Sequence, residues 1–171
     1  TACNYDQNAM YDDGSCQYPT ETYDCDNNCI GELINDFCYS KSDLNVLVDF
    51  AENSGMPTEF ENVLTMGDQT WNVDGKLEYW ACHNCGLSGA IPSSIGNLTG
   101  LTYLYLAHNG FTGSIPPDIG NLIELTSLYF SSNGFTGSIP SEIYNLIKLT
   151  GLHLEHNQFS GPISSNISNL S

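Results

Sequence analysis

Residues 101–124 read LTYLYLAHNGFTGSIPPDIGNLIE, and residues 125–148 repeat the pattern as LTSLYFSSNGFTGSIPSEIYNLIK. Residues 77–100 (LEYWACHNCGLSGAIPSSIGNLTG) precede them in the same register. Residues 149–171 (LTGLHLEHNQFSGPISSNISNLS) follow, one residue short of the 24-residue period. Four units without an insertion predict a solenoid, because one such unit cannot bury its apolar side chains alone and stacked units can. In the second unit Leu104 and Leu106 alternate with outward neighbours, the period of a half-buried strand, and Leu101 stands just before them. Phe111, Ile115, Ile119 and Leu122 are expected to point inward around the rest of the coil. Each contributes about 1.5–3 kcal/mol when fully buried. Asn109, Asn133 and Asn157 form a column expected to bond the backbone of adjacent coils. Gly113 and Pro116 shape the return path, where a left-handed or fixed φ is useful.

Upstream the chain changes character twice. Residues 1–41 are rich in Asp, Asn, Tyr, Gly and Cys, with no helical or strand period. Five of the seven cysteines (Cys3, Cys16, Cys25, Cys29, Cys38) fall there, which reads as a disulfide framework from an oxidising compartment. The remaining two, Cys82 and Cys85, have CxxC spacing. A redox role for that spacing needs a βαβ context, so a structural disulfide or two buried thiols is the expectation. Residues 42–55 read as a helix. Ser42 is the expected N-cap, Leu44, Leu47, Val48 and Ala51 make one apolar face, and Gly55 ends the helix. A second short helix is expected from Thr58, with Glu61 completing a capping box. Trp71 and an Asp74-Gly75 turn follow.

Three lysines (Lys41, Lys76, Lys148) and no arginine stand against twenty acidic residues. Such a surface repels phosphate backbones and anionic lipid heads, which excludes nucleic acid as a partner. No apolar run is long enough to span a membrane, so no direct membrane insertion is expected, and no signal peptide is read within the sequence. There is no Ser/His/Asp motif and no phosphate loop, so the chain reads as non-enzymatic. Calcium is the one cofactor weighed, none being otherwise required. Asp6, Asp12 and Asp13 could supply ligands, or could simply sit in a solvated turn.

The repeats resemble the plant-type leucine-rich repeat, LxxLxLxxNxFxGxIPxxIxNLxx, from Leu77 to Ser171. That resemblance implies an α/β solenoid, a right-handed superhelix with a concave parallel β-sheet and a helical N-terminal cap over residues 42–76, following the small disulfide-rich N-terminal segment read from the cysteines at residues 1–41. It also implies a second short strand near the Gly-x-Ile-Pro step. The units are then 77–100, 101–124, 125–148 and 149–171. The first departs from the pattern: Trp80 and Cys82 replace the strand leucines and Cys85 the Asn. The stretch TACNYDQNAMYDDGSCQYP, followed by YDCDNNC, resembles Cys/Asp-rich repeats in secreted or surface proteins of aquatic microbes. Its DxDGDG-like portion is replaced here by IGELINDFC, and a cysteine that precedes TACNY in those repeats would account for the odd count.

Period-two geometry selects the side chains presented by the sheet. They are Glu78, Tyr79, Ala81, His83 and Asn84; Thr102, Tyr103, Tyr105, Ala107 and His108; Thr126, Ser127, Tyr129, Ser131 and Ser132; and Thr150, Gly151, His153, Glu155 and His156. Of these, Tyr79, His83, Tyr103, Tyr105, His108, Tyr129, His153, Glu155 and His156 are the candidate ligand contacts. Tyrosine offers large area at low entropy cost plus a hydroxyl, although high strand propensity alone also explains it. The expected activity is extracellular or cell-surface recognition of a protein, peptide or glycan. A metal at His153, Glu155 and His156 was weighed against plain exposed histidines. Sequons at Asn97, Asn166 and Asn169 are expected on the convex side, where they could carry glycans. The alternative is a structural subunit that stacks end to end into a homo-oligomeric fibre through Leu149, Leu152, Leu154, Phe159, Ile163 and Ile167. Ice binding through the Thr102, Thr126, Thr150 column is a third reading.

Overall fold

The computed structural model describes residues 31–35, 37–163 and 165–169. The candidate disulfide residues Cys3, Cys16, Cys25 and Cys29, and the candidate calcium ligands Asp6, Asp12 and Asp13, lie outside them. Two strands, β1 (Glu32–Ile34) and β2 (Phe37–Tyr39), pair antiparallel, where the sequence shows no strand period. Their order is tertiary. Ile34 enters the core and Tyr39 meets Trp71 edge-on at 5.0 Å. Cys38 is buried and disulfide-bonded.

Helix α1 spans Lys41–Asn53. Its cap is Ser40 rather than Ser42: the Ser40 hydroxyl accepts from the Asp43 N–H at 3.3 Å and donates to Asp43 Oδ1 at 2.8 Å. Asp43, Val46, Leu47 and Phe50 are buried at i, i+3, i+4 and i+7, with Leu44 and Ala51 beside them, while Val48, expected on this face, is only partly buried. Helix α2 is one turn, Phe60–Val63, capped by Glu59 without a side-chain bond to the backbone, so the expected Thr58/Glu61 capping box does not form. Asp43 is fully buried. Its Oδ2 accepts from the Leu77 N–H at 2.9 Å, and its Oδ1 lies 3.7 Å from Lys76 Nζ. One carboxylate thus ties the cap helix to the first coil.

The main sheet has five strands in the order β10-β8-β6-β4-β3. Strands β4 (Leu77–Ala81), β6 (Tyr103–Tyr105), β8 (Ser127–Tyr129) and β10 (Gly151–His153) are parallel, one per coil. Strand β3 (Asp68–Trp71), which the sequence does not announce, pairs antiparallel with β4 and covers that edge. A second, four-stranded sheet joins β5 (Ser88–Gly89), β7 (Gly110–Gly113), β9 (Gly134–Gly137) and β11 (Gln158–Phe159). Short 3-10 turns at Ser93–Asn97, Pro117–Asn121, Ser141–Asn145 and Ser165–Asn169 close each coil.

Between the sheets runs an aromatic spine. Phe111 stacks on Phe135 at 5.8 Å and Phe135 on Phe159 at 6.0 Å. In the first coil Leu87 takes the Phe position, and Phe50 of α1 reaches Phe111 edge-on at 5.8 Å and Trp80 at 4.9 Å. The end of α1 also serves as a preceding coil. Ser54 Oγ accepts from the Ser88 N–H at 2.9 Å and Asn53 Nδ2 donates to the Ala90 carbonyl at 2.9 Å. Gly89, at φ +79°, lies so near Asn53 that a Cβ would sit 2.8 Å from its carbonyl oxygen.

The asparagine column behaves as expected. Asn133 Nδ2 donates to the carbonyls of Leu106 (3.0 Å), Phe130 (3.1 Å) and Ser131 (3.3 Å), while its Oδ1 accepts from the Phe111 N–H at 3.2 Å. Asn109 and Asn157 repeat the pattern one coil either side. In the first coil Cys85 stands in this position and forms a disulfide with Cys82, with Cα atoms 5.4 Å apart.

Candidate functional site

The outward face of the five-stranded sheet carries two side-chain columns. Register places Thr70, Tyr79, Tyr103, Ser127 and Gly151 in one, and Asp68, Ala81, Tyr105, Tyr129 and His153 in the other. The rings form a ladder. Tyr79 stacks on Tyr103 at 4.7 Å and 13°, and Tyr129 on His153 at 4.3 Å and 7°. Tyr103 and Tyr105 each reach Tyr129, at 5.6 and 5.1 Å. Beside them His83 touches Tyr105 (5.3 Å) and His108 (4.8 Å). The small residues are part of the design. At Gly151 a Cβ would come 3.6 Å from the Tyr129 hydroxyl, in ordinary contact.

Stacking covers one face each of Tyr79, Tyr103, Tyr129 and His153, the other contacts are tilted or edge-on, and the surface offers ring edges and hydroxyls. Burial, reinforced by Tyr79, Tyr129 and Tyr105, pushes the Tyr103 hydroxyl up, so it remains a protonated donor at neutral pH. Glu155 lies 3.5 Å from His153 Nδ1. Its carboxyl is held below the usual carboxylate range, chiefly by its own backbone N–H, against the opposing effect of burial and with lesser help from His153 and His156.

Nine candidate contacts were expected on this face. Tyr79, Tyr103, Tyr105, Tyr129, His83, His108 and His153 are joined by ring contacts, and Glu155 joins through His153. His108 and His156 belong to the turn after the strand, with φ of +55° and +57°, as do Asn84 and Ser132. Ala107 and Ser131, expected to face outward, are instead buried, at 0% and 9% exposure. The strand has ended by then and alternation no longer holds. Asp68 and Thr70 belong to the face through β3, which no repeat pattern signals. Among the described residues no group of three His, Cys, Asp or Glu is placed to hold a metal, His153, Glu155 and His156 included. The Thr102, Thr126 and Thr150 hydroxyls donate to the carbonyls of Glu78, Thr102 and Thr126 at 2.8–3.2 Å, so this column is committed to joining coils. Asn97 and Asn166 are exposed on the 3-10 side, and Asn169 ends the last 3-10 turn.

Residues 100–122, 124–146 and 148–170 match the family model described as Leucine Rich Repeat. The fold is a leucine-rich-repeat solenoid. The first coil, with Trp80, Cys82 and Cys85 at consensus positions, lies outside the matched residues. No curated protein matches the chain. Among solved structures, the BIR3–SERK2 complex from Arabidopsis thaliana is similar at 28% identity. The match covers 76% of this leucine-rich-repeat chain and 75% of that one, with a TM-score of 0.63. A plant ice-binding protein is similar at 26% identity over 77% of this chain and 46% of that one, TM-score 0.67. The Arabidopsis receptor kinase HAESA, in complex with the peptide hormone IDA and the co-receptor SERK1, is similar at 34% identity. There the match covers 57% of this chain and 16% of that one, TM-score 0.54. The chain thus spans a small part of the receptor and under half of the ice-binding protein.

Proposed function

We propose that this chain is an extracellular, non-enzymatic recognition module that binds a protein or peptide across its concave sheet. The observation that carries the reading is the tyrosine–histidine ladder, four coils wide, half-exposed and held rigid by ring-on-ring contacts. Rigid aromatics lose little conformational entropy when a partner docks. Hydroxyls and ring edges suit the N–H and C=O groups of an extended chain. A sugar platform wants free ring faces, and here stacking covers one face of four of the rings, so peptide is favoured over glycan. The HAESA structure, with its peptide hormone, supports the same use of the fold.

Tyr105→Ala with Tyr129→Ala is expected to weaken partner binding by roughly 2–4 kcal/mol, the range for central aromatic anchors. Unfolding midpoints should hardly move, since neither side chain is in the buried core. Isothermal titration against partners selected from a displayed peptide library measures the first, and thermal unfolding the second. Unchanged affinity would remove the concave face from the reading.

A second reading attaches to the other sheet. Thr112, Ser114, Thr136 and Ser138 are exposed at equivalent positions of successive coils, on a strip without charge. Together with the similarity to a plant ice-binding protein, this supports ordering water at an ice surface. Thermal hysteresis that rises with protein concentration and is lost in Thr112→Tyr with Thr136→Tyr is the expected result. No hysteresis in the intact chain would dismiss it.

A further inference from the structure

We propose that the partner of the concave sheet is a cationic peptide segment, held at neutral pH and released on mild acidification by the histidines that share the face. This rests on the recognition reading above and adds the chemistry of the partner.

Charge complementarity carries the first half. The face presents three carboxylates, Asp68 from β3, Glu78 from β4 and Glu155 beside His153, and neither lysine nor arginine. The three lysines of the chain are elsewhere. Lys41 opens α1, Lys76 reaches buried Asp43, and Lys148 sits outside the strands in an ion pair with Glu124 at 2.6 Å. The net charge of −17 adds a long-range attraction for cations.

The spacing fits a short extended segment. Asp68 and His153 end one five-residue column, with Glu155 two residues beyond His153. Four strand spacings span roughly 19 Å, and an extended chain crosses that with about six residues. Its backbone then lies along the hydroxyls of Tyr105 and Tyr129, and basic side chains toward its two ends reach Asp68 and Glu155.

The second half follows from what surrounds those carboxylates. All four histidines of the chain, His83, His108, His153 and His156, share this side of the molecule. The other titratable groups there are Asp68, Glu78 and Glu155 and the phenols Tyr79, Tyr103, Tyr105 and Tyr129. Histidine is the side chain that changes charge between about pH 8 and 5. Carboxylates stay ionised to about pH 4. Protonating all four histidines would turn three negative charges on the face into a positive excess. Protonation also sets His83 against His108, whose rings are 4.8 Å apart. The rest of the surface keeps its negative charge. Loss of binding on mild acidification thus separates capture by this face from attraction to an acidic protein in general.

The test uses the whole chain and three labelled hexapeptides, alternating Gly with Arg, Ser or Glu, followed by fluorescence anisotropy in about 0.15 M salt. At about pH 7.5 the Arg peptide should bind at least about tenfold more tightly than the others, and at about pH 5.5 lose at least about tenfold. His83→Gln, His108→Gln, His153→Gln and His156→Gln combined should flatten the pH profile, circular dichroism confirming the fold. Tyr105→Ala with Tyr129→Ala should abolish binding at both pH values. Arg-peptide binding that survives at about pH 5.5, or in the tyrosine variant, would overturn the proposal. A peptide-display selection separates the two levels. Binders that require the tyrosines but are neutral or acidic defeat the cationic partner and leave the recognition face standing. Binders indifferent to the tyrosines defeat both.

Discussion

Asp43→Ala is expected to lower the stability of the folded chain by about 3–5 kcal/mol, the cost of breaking a buried charged pair from one side. Three contacts go at once. Ser40 loses its hydroxyl acceptor, the Leu77 N–H loses the carboxylate oxygen 2.9 Å away, and Lys76 loses the carboxylate 3.7 Å away. The Leu77 N–H matters most, because a buried donor without an acceptor bears its full desolvation cost. Asp43→Asn retains a carbonyl oxygen for that donor and should fall between the two. Urea unfolding followed by circular dichroism measures all three proteins. A loss below about 1 kcal/mol for Asp43→Ala would mean that water takes over the carboxylate's role and that the cap is not fastened there.

Asn133→Ala should cost about 3 kcal/mol or more, since one side chain serves four backbone groups in two coils. The substitution strands the Phe111 N–H and takes a donor from the carbonyls of Leu106, Phe130 and Ser131. Asn133→Asp keeps the acceptor for Phe111 but removes both N–H donors and turns a negative charge toward three carbonyls, so it should be at least as damaging. Equilibrium unfolding resolves the pair. Should Asn133→Asp prove near wild type, the donor half of the rung carries no weight.

The repeats were legible because each position is stated up to four times. A leucine at 104 alone says little, but with Leu128 and Leu152 it fixes a strand face and a stacking axis. The column Tyr105, Tyr129, His153 follows from the same period. What occurs once was not legible. β1, β2 and β3 have no periodic pattern; Tyr39 against Trp71, and the Gln69 side chain donating to the Val63 carbonyl at 2.8 Å, hold them through contacts that no repeat signals. Asp68 therefore entered the candidate face only with the fold in hand. Ser40 was passed over as a cap for Ser42, although it is the residue whose oxygen reaches the N–H three positions on.

The face was misread where the backbone stops being a strand. β6 ends at Tyr105 and β8 at Tyr129, and the next three residues curl toward a left-handed residue at His108 or Ser132. Counting by twos through that bend sends Ala107 and Ser131 outward when both are buried. An alternating pattern is a property of extended backbone and carries no information beyond it.

The asparagine column also has a direction. The N–H groups of Leu87, Phe111 and Phe135 each donate to an asparagine that arrives 22 residues later. A coil leaving the ribosome is thus provisional: its own asparagine can lock the coil made before it, while one of its amides waits for the coil still to come. Synthesis and bonding run the same way, so each newly made turn ratifies its predecessor and the nascent array gains permanence one turn behind its growing tip.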